Sequence, residues 1–141
     1  MKIILSLLTL LTFSLIAMAA GTQAVVNHEG NCTASVPASW TVQGSFGMAR
    51  SPDKKVSLAV SSPKHMSTID EVAQTVPMVY PDDKVTKKSS SEFEMEGKAG
   101  NGKPNIYRAI TVGAKLCLAE VQYESGTPAE AKTIVETLKG K

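Results

Sequence analysis

Ile106-Tyr107-Arg108-Ala109-Ile110-Thr111-Val112-Gly113-Ala114-Lys115-Leu116-Cys117-Leu118-Ala119-Glu120-Val121-Gln122-Tyr123-Glu124 is the stretch whose reading decides the fold. It is the longest apolar run beyond the N-terminal segment, and it holds one of the two cysteines. Gly113 breaks it near the middle, so two β-strands around a tight turn fit the pattern. With Gly113-Ala114-Lys115 as a three-residue turn, Val112 stands opposite Leu116 and Ile110 opposite Leu118. Arg108 then stands opposite Glu120, and Ile106 opposite Gln122. Opposed residues share a face, because side chains alternate along a strand. The other face carries Thr111 with Cys117, Ala109 with Ala119 and Tyr107 with Val121. This register matches charge at Arg108 and Glu120; a slip of one residue would set Arg108 against Ala119. Near the turn both faces are apolar or small. A sheet with one wet face alternates more cleanly, so helices or strands are expected over both sides.

The chain opens with the pattern of a secretory leader. Lys2 supplies a positive start, an apolar run follows from Ile3 to Ile16, and Ala17-Met18-Ala19 gives a small-x-small cleavage site. Thr22-Gln23-Ala24 is a second possible site. The run is shorter than the roughly 20 residues that span a bilayer. The expectation is a signal peptide over residues 1–24, cleaved after Ala19 or Ala24, and a single domain over residues 25–141. The product would be periplasmic or secreted, with no stable membrane insertion after cleavage. About 120 residues can bury one core. In an oxidising compartment Cys32 and Cys117 read by default as a disulfide; two buried thiols or a metal pair are the competing readings. No Cys-x-x-Cys occurs, which argues against a thioredoxin-type redox site. The formal charge is +2, from 15 Lys and Arg against 13 Asp and Glu. That balance, with no basic run interleaved with aromatics, gives no footprint for nucleic acid.

The remaining segments supply the elements. Cys32, Ala34 and Val36 alternate onto one face of a strand that Pro37 ends. Trp40 follows as a core anchor. Phe46-Gly47-Met48-Ala49-Arg50 and Val56-Ser57-Leu58-Ala59-Val60 read as a hairpin around a turn with Pro52. Thr68 with Glu71 forms a capping box, and Ile69, Val72, Ala73 and Val76 recur at helical spacing. Pro77 is expected to end or kink that helix near Val76. Lys84, Lys87 and Lys88 belong to a solvated strand end or a dock for an anionic surface. In Glu92-Phe93-Glu94-Met95-Glu96 the apolar pair faces inward and the three carboxylates face solvent. Residues 97–105, rich in glycine, read as a loop. A C-terminal helix begins at Thr127 and Pro128, buries Ala131, Ile134, Val135 and Leu138, and closes at Gly140. Runs of strands with few helices give an α+β fold with a mainly antiparallel sheet.

Val36-Pro37-Ala38-Ser39-Trp40, the Ser51-Pro52-Asp53 turn in a hairpin, a Thr-capped helix, long antiparallel strands and a final helix together resemble the PsbP-like fold. That fold is shared by the photosystem II extrinsic protein PsbP, the Ran-binding Mog protein and many small exported bacterial proteins. The resemblance covers nearly the whole chain beyond the leader. It implies an antiparallel sheet flanked by helices, an α/β/α sandwich, and a role in binding other proteins rather than one shared catalytic activity. It carries over no functional residue, and the expected disulfide is not part of its pattern.

The chain offers few residues for chemistry. A zinc site needs three or four ligands in workable spacing, and only His28 and His65 are present. No Gly-x-Ser-x-Gly elbow or phosphate-cradling loop occurs. No cofactor and no metal are therefore expected. Arg108 and Glu120 are the one constellation singled out, as a register-fixing ion pair or as part of a cleft. The function expected is that of an exported, non-catalytic module binding a protein partner in the cell envelope, as an accessory factor or an inhibitor. The alternative is a small-ligand or lipid carrier with a pocket between helix and sheet. An enzyme is not expected. Residues 51–55, 84–91 and 97–105 are the candidate contact segments.

Overall fold

The structure, a computed structural model, describes residues 21–124 and 127–141. Its strands are β1 (Thr22–Val26), β2 (Cys32–Pro37), β3 (Thr41–Gln43), β4 (Met48–Arg50) and β5 (Val56–Ser61). Helix α1 (Ile69–Val79) leads to β6 (Lys84–Lys88), β7 (Glu92–Lys98), β8 (Pro104–Val112) and β9 (Lys115–Tyr123). Helix α2 (Pro128–Glu136) and β10 (Lys139–Gly140) follow. Seven strands form one antiparallel sheet in the order β3-β4-β5-β9-β8-β7-β6. A second, small sheet has the order β1-β2-β10. The leader expected over residues 1–24 lies largely outside the described residues.

The large sheet separates two apolar cores. On one face Ile69, Val72 and Val76 of α1 pack on Phe93, Met95, Tyr107, Ala109, Leu116 and Leu118. On the other, Ala131, Ile134 and Val135 of α2 and Val25, Cys32, Ala34 and Val36 of the small sheet pack on Leu58, Val60, Ile106, Ala119 and Val121. The central hairpin is thus covered on both sides, as its two-sided apolar pattern requires. Helix α1 forms where expected because its capping box is complete: the Thr68 hydroxyl accepts from Glu71 N, and the Glu71 carboxylate accepts from Thr68 N. The Cys32–Cys117 disulfide is present, with Cα atoms 5.5 Å apart. It joins β2 of the small sheet to β9 of the large one.

Several expectations are corrected. The central turn has two residues, Gly113 and Ala114, with Val112 opposite Lys115. Gly113 has φ 61°, and two-residue hairpin loops with glycine first match the twist of the flanking strands. One residue fewer in the turn shifts every pair: Arg108 stands opposite Ala119, and Glu120 opposite Tyr107. Arg108 and Glu120 therefore lie on opposite faces and do not pair. Glu94 does not face solvent; it is 1% exposed, beside Arg108 in the β7–β8 register. Pro77 does not end α1, which runs to Val79. A proline in the last turn removes only one helical bond, and Tyr80 N still donates to Val76 O. Phe46 lies in a turn and is 71% exposed. Helix α2 stops at Glu136 with Thr137 as its cap, and Gly140 belongs to β10. Strand β7 extends into the expected loop as far as Lys98.

Candidate functional site

Helix α1 covers only part of its face of the large sheet. Its partners are Phe93, Met95, Tyr107, Ala109, Leu116 and Leu118, from β7, β8 and β9. Beyond them the sheet continues through β5 and β4 to β3, and among the described residues no helix lies over it. Alternation shows the consequence. Ala49, Val56, Leu58 and Val60 are buried on the core side, whereas Thr41, Gln43, Met48 and Arg50 are exposed on the other. Ser57, Ala59, Glu120 and Gln122 share that open side and are partly buried. Two rows cross it in register: Glu120, Ala59, Met48 and Gln43, then Gln122, Ser57, Arg50 and Thr41.

These rows floor a groove of about 500 Å³, walled at one end by Ser51, Pro52 and Lys54 of the β4–β5 turn. That turn is held by its own side chains. The Ser51 hydroxyl donates to Asp53 at 2.6 Å, and Val56 N donates to the Ser51 oxygen at 3.0 Å. The hydroxyl and the Lys55 amide both hold the Asp53 carboxyl below the ordinary carboxylate range. Asn101, from the β7–β8 loop, donates to Gln122 at 2.9 Å. Two of the three segments expected to carry contacts, residues 51–55 and 97–105, thus border the same surface. The third belongs to β6, at the opposite edge of the sheet. There the lysine-rich strand, with a register shift between Val85 and Lys87, is exposed along its length, as protected edge strands are.

Of the residues singled out from sequence, Glu120 lies in the groove and Arg108 does not. Arg108 lies on the α2 side, with Nη2 3.4 Å from Glu92 Oε2, and Lys87 Nζ is 3.1 Å from Glu92 Oε1. Cys32 and Cys117 are buried in the core between the sheets. Sequence reasoning missed Arg50, Ser57 and Gln122. Their signal was the alternation of Met48, Arg50, Ser57 and Ala59 with buried neighbours, which marks one wet sheet face. A second concavity, about 380 Å³ and almost wholly apolar, lies between α2 and β2, lined by Val36, Pro37, Ala129 and Ile134. Among the described residues no group of three or more His, Cys, Asp or Glu could hold a metal ion. No described helix is long and apolar enough to cross a membrane.

Among the described residues these features define a small α+β protein: a two-sided antiparallel sheet with one helix on each face, a disulfide to an accessory sheet, and half of one face left open. No family model matches the chain, and no curated protein matches it in sequence. Among solved structures it is similar to cyanobacterial PsbP from Synechocystis sp. PCC 6803. The TM-score is 0.53 at 13% sequence identity, over 86% of this chain and 94% of that chain. The fold is PsbP-like, as the sequence resemblance implied.

Proposed function

We propose that the chain is an exported, non-catalytic module that binds a protein partner in the cell envelope through its open sheet face. The observation that carries this reading is the uncovered half-face itself, with Met48 42% exposed on its floor and Phe46 exposed on the β3–β4 turn beyond it. Interfaces favour such Met and aromatic anchors among polar neighbours. The surface is built on strands tied by a disulfide, which lowers the ordering cost of binding. Export rests on the leader pattern and on the disulfide, which suits an oxidising compartment. Cleavage after Ala19 fits the fold better than cleavage after Ala24. Strand β1 begins at Thr22, and the Gln23 amide donates to Trp40 O at 2.6 Å; the later cut would remove both.

A photo-crosslinking residue placed at Met48 in cells tests the reading. One discrete adduct is expected, and none from the same residue at Lys132, on the exposed side of α2. The reading fails if Met48 yields no adduct. The apolar groove between α2 and β2 favours a second reading, a lipid or small-ligand carrier. Stoichiometric recovery of a lipid from the purified protein would put that reading in place of the first.

A further inference from the structure

Glu120 occupies a position that the rest of the molecule leaves unfinished. It lines the groove directly opposite Tyr107 across the β8–β9 pair, and Tyr80, the C-cap of α1, packs against the same cluster as Tyr107. Its carboxylate is held by neighbours on the same face of the sheet. Asn105 is 1% exposed; with its amide turned so that the nitrogen meets the two acceptors, it donates to Glu120 Oε1 at 3.1 Å and to Val121 O at 3.2 Å. The Gln122 amide is 3.4 Å from the same carboxylate oxygen, and Gln122 is itself held by Asn101. A buried amide and a chain of polar neighbours thus fix the carboxylate. Yet Glu120 forms no salt bridge among the described residues, whereas the interior Arg108 has Glu92. Two phenols feel its charge. Burial raises the Tyr107 pKa well above the ordinary phenol range, and the negative charge of Glu120 adds to that. The same two causes, in the same order, raise that of Tyr80, the C-cap of α1.

We propose that Glu120, flanked by Tyr107 and Tyr80, is a docking pocket for a basic side chain, a lysine or arginine, of the protein partner. The inference rests on the partner-binding reading above. A partly desolvated carboxylate that is already hydrogen-bonded loses little on accepting an ammonium or guanidinium, and charge-assisted hydrogen bonds are the strong ones. Arg50, two strands away on the same open face, is free of salt bridges among the described residues. It disfavours a second cation there, so the groove orients a basic residue towards its Glu120 end.

The test uses short capped glycine peptides carrying one central lysine, arginine, glutamate or leucine, titrated into the isotope-labelled protein and followed by amide chemical shifts. The lysine and arginine peptides should shift the amides of Glu120, Tyr107 and Tyr80; the other two should not. Glu120→Gln should weaken lysine-peptide binding about tenfold or more. Arg50→Glu, at an exposed position, should strengthen it, and this second variant decides the matter if Glu120→Gln loses its native spectrum. Equal responses to lysine and leucine peptides, or no response at all, overturn the pocket. The Met48 crosslink separates this inference from the reading beneath it. An adduct that forms equally in wild type and Glu120→Gln overturns the pocket and leaves partner binding standing. Lysine-peptide binding with no adduct in wild type supports the pocket and overturns the protein partner.

Discussion

Arg108 sits on the α2 face of the large sheet with its side chain only 12% exposed. Glu94 stands beside it in register and Glu92 bonds its guanidinium, while Arg108 Nε and Glu94 Oε2 have no hydrogen-bond partner among the described residues. Removing one member of such a pair strands the others away from water. Arg108→Ala should therefore cost about 3 kcal/mol in denaturant unfolding, the low end for a buried pair because Glu92 retains some exposure. Arg108 and Glu92 should be coupled in a double-mutant cycle by about 0.5–3 kcal/mol, whereas Arg108 and Glu120 should be additive within about 0.5 kcal/mol. A measured coupling between Arg108 and Glu120 would contradict the register. Matching charges along the hairpin pointed to Glu120 because that pairing is local. The actual partner comes from β7, and nothing in the spacing of 106–124 reveals which strand lies next to it. Glu120 was legible as a residue of interest, though for the wrong reason. Alternation marked Arg50 as part of a wet face, but that this face forms a groove with Gln122 depends on where α1 stops, which no local spacing reveals.

Helix α1 shows what local chemistry can decide. Its cap, its first turn and its buried stripe of Ile69, Val72 and Val76 all follow from side chains a few residues apart. Thr68→Ala should cost about 1 kcal/mol of thermal stability. The backbone amides of Ser67 and Thr68 hold the Glu71 carboxyl below its usual range. A depressed pKa stabilises the folded state above the unfolded value, and the effect is lost as pH falls through the folded one. The stability difference between wild type and Glu71→Gln should accordingly be full near neutral pH and vanish in acid. A difference that persists at low pH would mean that the carboxylate charge does not hold the cap. The central hairpin shows the opposite case. Its two strands were evident, but a choice between two and three turn residues reverses the faces of one strand relative to the other. Gly113 decides it by its positive φ, so Gly113→Ala should cost about 1–2 kcal/mol.

The disulfide closes a separation of 85 residues and joins the two sheets covalently. Loop-closure entropy over that length corresponds to about 4–5 kcal/mol. The double variant Cys32→Ser/Cys117→Ser should lose a comparable amount in chemical denaturation, and the untreated protein should show no alkylatable thiol by mass spectrometry. The bridge and the α+β class were legible because cysteine parity and strand spacing are properties of the sequence. The small sheet was only half legible: β2 alternates clearly, whereas β10 has two residues and no pattern. That small sheet nevertheless governs when the molecule can be finished. Strand β2 sits between β1 and β10, so Thr33 pairs with Val26 on one side and with Lys139 on the other. Ribosomes and translocation channels deliver a chain N-terminus first. Strand β2 must therefore wait, with one edge open, until almost the entire polypeptide has emerged. Under the export proposed above, a chain so wired would stay threadable for longest at the end that would enter a channel first.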